Sequence, residues 1–166
     1  MNPDYFRALA RYNQWANARV HDACAALPAA AYFRPRPAYF KSLHGTLNHI
    51  LVADRLWLSR IEPPQGYMPL NTILFEDLAS LRAAREAEDA RIVGLVDAMD
   101  AATIAGPLRY TNNSCKPFET PMAFVLGHLF NHQTHHRGQV HDRLTQVMPE
   151  PPELDLIFFL RSAGLG

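Results

Sequence analysis

Apolar residues recur along this chain at the three- and four-residue intervals of an α-helix, in four long stretches. In the first, Phe6, Leu9, Ala10, Asn13, Ala16, Val20 and Leu27 fall at helical spacing. Asn2 is a good N-cap and Pro3 suits the first helical position, so a helix is predicted from there to about Leu27. Pro28, Pro35 and Pro37 break the pattern and predict a long loop to about Phe40. Ser42 then caps a second helix reaching about Ile61, with Leu43, Leu47, Ile50, Leu51, Asp54 and Leu58 on one face. Pro63, Pro64, Gly66 and Pro69 predict the next loop. A third helix begins between Thr72 and Asp77 and runs to about Met99 along Leu78, Leu81, Ile92, Leu95, Val96 and Met99. Its densely charged middle reads as a solvated face with helical charge pairs.

The texture then changes. Leu108-Arg109-Tyr110-Thr111 and Lys116-Pro117-Phe118-Glu119 flank Asn112-Asn113-Ser114, which predicts a short hairpin. Pro117 makes it an edge or irregular one. Thr120 and Pro121 start a fourth helix to about Val147, stopped by Pro149, Pro151 and Pro152. The apolar tail at 154–160 reads as a short docked helix. These elements predict an all-α fold in one domain over residues 1–166: a four-helix bundle with a short hairpin before the last long helix and a short C-terminal helix.

Composition narrows the function. Hydrophobic residues make up 48% and charged residues 19%, which is ordinary for a globular chain and argues against disorder. Sixteen basic residues balance sixteen acidic ones, so there is no sign of the basic face of a nucleic-acid binder. No apolar stretch approaches the ~20 residues that span a bilayer, and the first residues lack the apolar run of a signal peptide. A soluble, cytoplasmic protein is expected. Cys24 and Cys115 form no C-x-x-C pair, and reduced thiols are the natural reading. The unusual number is eight histidines, four of them within 128–136.

On a wheel of the fourth helix centred on Leu129, His136 lies about 20° from the apolar centre and His132 about 60°. His128 and His135 fall at the stripe's edge, and His141 on the far side. His132 and His136 therefore point inward, one helical turn apart, where both can reach a single ion at ~2.0–2.1 Å. Two buried imidazoles otherwise each need separate hydrogen-bond partners. The second helix offers His44 and His49 as further ligands, and the wheel prefers neither.

Three segments carry a family resemblance. Tyr12-Asn13-Gln14-Trp15-Ala16-Asn17, the run from His49 through Asp54-Arg55-Leu56-Trp57 to Arg60, and Asn131-His132-Gln133-Thr134-His135-His136-Arg137-Gly138-Gln139 resemble the motifs of the DinB/YfiT-like proteins. The resemblance implies a four-helix bundle, often a homodimer, with one divalent metal held by His49, His132 and His136, zinc or nickel being the leading candidates. Three protein ligands leave a coordination position open, the pattern of a catalytic site. It also implies a metal-dependent S-transferase or isomerase that uses a low-molecular-weight thiol. The alternatives are a metal-dependent hydrolase and a non-catalytic metal- or ligand-binding stress protein. The partners expected are a small thiol or electrophile, with no nucleic acid and no membrane.

Several other residues invite a role. Tyr12, Trp15 and Trp57 read as core aromatics, with lining of the metal pocket as the alternative. Asp54 lies near the centre of its helix's apolar face and needs a partner, either a ligand imidazole or an arginine such as Arg137. Arg137, Gln139, His128 and His135 could meet a substrate, although helix-surface or dimer roles suit each of them better.

Overall fold

The computed structural model of the protein describes residues 2–62 and 67–165. Four long helices form it: α1 (Pro3–Ala25), α3 (Leu43–Ile61), α4 (Leu78–Ala98) and α6 (Met122–Thr145). Shorter elements fill the connections: α2 (Ala29–Tyr32), α5 (Ala101–Ala105), the hairpin β1 (Pro107–Thr111) and β2 (Pro117–Pro121), and the C-terminal α7 (Leu156–Ser162). The fold is the all-α bundle that the periodicity predicts, with its hairpin directly before the last long helix. Of the proline-rich loop after the second long helix, Pro63, Pro64 and Gly66 lie outside the described residues, while Pro69 stands in the connection to α4.

The helix starts follow from local chemistry. The Asn2 side chain accepts the amide N–H of Asp4 at 3.0 Å, and Ser42 Oγ accepts that of Gly45 at 3.0 Å. Asp77 caps α4 through the Ser80 N–H at 2.8 Å, and Asp100 caps α5 through Thr103 at 2.7 Å. Each side chain satisfies a donor that a helix start leaves without an intrahelical acceptor. In the antiparallel hairpin Leu108 opposes Thr120, and Tyr110 opposes Phe118. Pro117 sits at the start of β2, where a missing N–H costs little. Two short helices were not foreseen: α2 within the loop predicted from Pro28 to Phe40, and α5 after α4.

The interior is banded along the bundle axis. One apolar cluster gathers Phe6, Ala10, Leu58, Ile92, Val96, Leu126 and Leu129; a second gathers Val20, Cys24, Leu47, Leu51, Leu81, Val140 and Leu144. Between them, each long helix contributes buried polar residues: Asn13 and Asn17 from α1, Asp54 from α3, Arg85 and Asp89 from α4, Gln133 and Arg137 from α6. Arg85 pairs with Asp54 and with Asp89. Gln133 donates to Asp54, and Arg137 donates to Asn13, Asn17 and Gln133. Asn17 in turn donates to Asp89 at 2.9 Å.

This layer corrects the solvated reading of the middle of α4. Helical charge pairs are present there, such as Arg82 with Glu86, but Arg85, Glu88 and Asp89 are buried. Asp54 of α3 meets Arg85, Asn17 of α1 meets Asp89, Arg85 and Asp89 pair with each other, and Arg55 and Arg91 meet Glu88. These partners offset the desolvation that would otherwise keep the three in water. Asp54 is likewise met by Arg85 and Gln133, not by Arg137 or an imidazole. Burial pushes its carboxyl up to about 7 against the pull of Arg85.

Tyr12 and Trp15 belong to the packing. They meet Phe159 of α7, and the Tyr12 hydroxyl donates to the Leu154 carbonyl at 2.7 Å. Cys24 is buried and Cys115 exposed, neither in a disulfide. Burial pushes the Cys24 thiol up to about 12 and leaves it a core residue. Among the described residues no helix is long and apolar enough to cross a membrane.

Candidate metal centre

α3 and α6 pack side by side and bring His49, His132 and His136 to one point. His49 Nε2 lies 3.3 Å from His132 Nε2 and 3.2 Å from His136 Nε2. His49 and His136 are buried, at 3% and 8% exposure, while His132 is half-buried at the rim.

The outer ring nitrogens decide what those Nε2 atoms are. His49 Nδ1 is 2.8 Å from the Leu70 carbonyl, which only accepts, so Nδ1 carries the proton. His136 Nδ1 meets Gln139 Oε1 at 2.9 Å, while Gln139 Nε2 meets His135 Nε2 at 3.1 Å. An amide that donates to His135 turns its oxygen to His136, so His136 Nδ1 is protonated as well. The Nε2 atoms of His49 and His136 then both bear lone pairs. Two acceptors 3.2 Å apart repel unless a cation lies between them. Nitrogens bound at ~2.0–2.1 Å to a tetrahedral ion are themselves roughly 3.3–3.4 Å apart. The donor set therefore fits a divalent metal ion, with the Leu70 carbonyl and the Gln139 amide as outer partners that set ring orientation.

Electrostatics agrees with neutral ligands. Burial, aided by the charges of His136 and His49, pushes His132 down to about 3, and burial pushes His136 down to about 4. Burial also lowers His49, against the Leu70 hydrogen bond. A metal competes with protons for these nitrogens, so depressed values favour the metal.

Phe40 closes one side. Its ring stacks on His49 with centroids 3.8 Å apart and planes 17° apart, and meets the His136 ring edge-on at 5.5 Å. Gly45 permits this placement, because a Cβ there would stand 2.1 Å from the Phe40 carbonyl oxygen. On another side His136 lines a cleft of about 840 Å³ with Phe40, Tyr39, Gln139 and Arg143.

His44, the other candidate on α3, is placed elsewhere. Its Nδ1 meets the Tyr32 hydroxyl at 2.9 Å and its Nε2 the Asn48 amide nitrogen at 3.2 Å. His128 packs against Trp57, with ring centroids 4.8 Å apart, and lies beside His132. Arg137 is buried in the polar layer and does not face the cluster's cleft. Sequence reasoning missed Leu70 and Phe40 altogether, because a loop carbonyl and a stacked ring leave no periodic signal. It notices Gln139 but favours a helix-surface or dimer role for it over contact with a substrate.

Fold and site together define a class: a helical bundle whose two adjacent helices present three buried or half-buried histidines able to hold a metal ion. The comparisons supply the family. The chain belongs to the DinB family, whose profile matches residues 1–164. It is similar to Protein DinB of Bacillus subtilis (strain 168), at 26% identity over 167 residues covering 95% of each chain.

Proposed function

We propose that the chain binds one divalent transition metal, zinc or nickel, through His49, His132 and His136, and uses it as a thiol-dependent S-transferase or isomerase. The observation that carries the metal is the convergence of three Nε2 atoms, two of them left as lone pairs by Leu70 and Gln139. His49, His132 and His136 would hold such an ion, which would supply Lewis acidity and would favour an incoming thiol in its thiolate form. The chain's residues do the rest: Leu70 and Gln139 hold the imidazoles neutral and oriented, and Phe40 excludes water from the His49 face. The cleft along His136, of roughly 840 Å³, lies within the range of small-molecule sites.

Metal analysis of the purified protein and turnover of an electrophile panel, with and without low-molecular-weight thiols, test this. About one metal per chain and thiol-dependent turnover are expected. Thiol-independent turnover would replace the transferase with a hydrolase, and tight ligand binding without turnover would leave a non-catalytic binding protein. A homodimer belongs to the same proposal, supported by exposed Phe118 and Phe124 at 46% and 66%, and a cytoplasmic location goes with it. Light scattering at the mass of one chain would remove the dimer.

A further inference from the structure

The cleft beside His136 has a second wall that the metal does not explain. Arg36, in the loop between α2 and α3, lines it where that loop meets the C-terminal end of α6. Its Nη1 donates to Gln146 Oε1 at 2.7 Å. Its Nε and Nη2 are shut off from solvent and have no hydrogen-bond partner among the described residues. Those two nitrogens form one edge of the guanidinium, the edge that takes both oxygens of a carboxylate or phosphate in a bidentate pair. Buried donors on a permanent cation are seldom left unmet, and each case calls for an explanation.

A second cation stands on the same wall. Arg143 is fixed by donating from Nη1 to the Ser42 carbonyl and to Thr46 Oγ1, both at 2.9 Å. Burial and the nearby positive charge of Arg36 hold its guanidinium below the ordinary value, against the pull of Asp142. Asp142 accepts the Gln146 amide at 3.3 Å, which turns the Gln146 oxygen to Arg36. The wall thus carries two arginines against one carboxylate, and that carboxylate is engaged by Gln146. Gln146 caps the C-terminal end of α6 ten residues beyond His136, about 15 Å along the axis.

We propose that this cleft holds an oxyanion subsite in which Arg36, backed by Arg143, takes the carboxylate or phosphate group of an elongated small molecule whose other end lies at the histidine cluster. Uptake of an anion requires the Arg36 side chain to turn this edge, shut off from solvent, toward the cleft it lines. The placement of the other end rests on the metal reading above; the oxyanion subsite rests on Arg36 alone.

The test titrates metal-loaded protein with inorganic phosphate and, separately, with succinate by calorimetry, with metal content measured on the same samples. At least one of the two anions binds saturably, once per chain, and more weakly as sodium chloride is raised. The preferred anion shows which source the subsite serves. Affinity falls at least tenfold in Arg36→Gln. It falls as far in Gln146→Glu, which keeps the guanidinium but hands it an internal carboxylate and so covers the case in which Arg36→Gln misfolds. Metal content stays unchanged in both variants. No saturable binding of either anion overturns the subsite, as does undiminished affinity in a folded variant of either kind. Arg36-dependent binding by a chain that takes up no metal would leave the subsite standing and remove the metal reading. Metal uptake with Arg36-independent binding would do the reverse.

Discussion

Two histidines on α3, five positions apart, occupy contrasting environments. His44 and His49 are both buried, both sit beside aromatic rings, and burial lowers both below the ordinary histidine value. They differ in what meets the second ring nitrogen. The amide of Asn48 serves His44 Nε2, and the Tyr32 hydroxyl serves Nδ1. For His49 the backbone serves Nδ1, and the Nε2 faces two further imidazole nitrogens. A buried histidine whose two ring nitrogens are met by a hydroxyl and an amide is a core residue. One whose lone pair converges with others of its kind is a candidate metal ligand. Burial alone separates nothing here; the identity of the partner does.

The largest expected effect breaks that comparison most directly. His49→Ala, His132→Ala and His136→Ala are each expected to reduce metal content from about one per chain to near zero, as read by elemental analysis after desalting. His44→Ala is expected to keep the metal and lose stability, because the buried Tyr32 hydroxyl loses its partner and the imidazole leaves a void. Full occupancy in His49→Ala, or loss in a folded His44→Ala, would reverse the assignment on α3.

The outer partners give the next effect. Gln139→Ala removes the acceptor that keeps His136 Nδ1 protonated and its Nε2 free. Loss of such an outer partner typically weakens metal affinity by about 10–100-fold. Competition with a chromogenic chelator would measure it, and an unchanged affinity would mean that Gln139 serves the surface only. The Leu70 carbonyl is a backbone group, so the corresponding contact at His49 cannot be deleted by substitution.

The legibility of the molecule divides along the same line. Period and caps placed the four long helices and the hairpin, since Asn2, Ser42 and Asp77 act through neighbours two or three residues away. The inward pair on α6 was legible for the same reason, one helical face being a local property. The choice between His44 and His49 was not, because it depends on Tyr32, Leu70 and His132, which come from three other segments. Asp54 shows the same limit: its partners Arg85 and Gln133 lie 31 and 79 residues away. A charged residue on α4 looks solvated until the helices that satisfy it are in place, so the buried layer was read as surface. The family motifs supplied His49 without supplying the physical reason for it.

Acidity should expose what the two pockets share. An imidazole titrates near 6.5 in an unfolded chain. His21, buried and with no partner for its Nδ1 among the described residues, is pushed down to about 3 by desolvation, aided by Arg85 and Arg82. Between those values the unfolded chain binds a proton that the folded chain refuses. Stability from this group is therefore complete above pH 6.5 and falls as the pH drops through the window. For His21 alone the loss from pH 7 to pH 5 is about 2 kcal/mol. His44 and His49 shift in the same direction and add to it. Denaturant midpoints of metal-free protein should fall across this range, and a flat profile would contradict neutral buried imidazoles. In metal-loaded protein the fall is expected to be steeper, because acid must also displace the ion.

The smallest effect sharpens the contrast from the other side. Tyr32→Phe deletes one hydroxyl and leaves the ring that packs edge-on against His44, with centroids 5.4 Å apart. It removes one hydrogen bond from the His44 pocket and nothing from the cluster of His49, His132 and His136. The expected cost is about 1 kcal/mol of folding stability, the net worth of a typical buried hydrogen bond. Denaturant unfolding of metal-free protein measures it. Metal affinity should be the same as in the wild type within error, since no cluster atom is bonded to Tyr32. A stability loss accompanied by weaker metal binding would mean that the two pockets are coupled through α3, and that His44 holds the helix in the register that His49 needs.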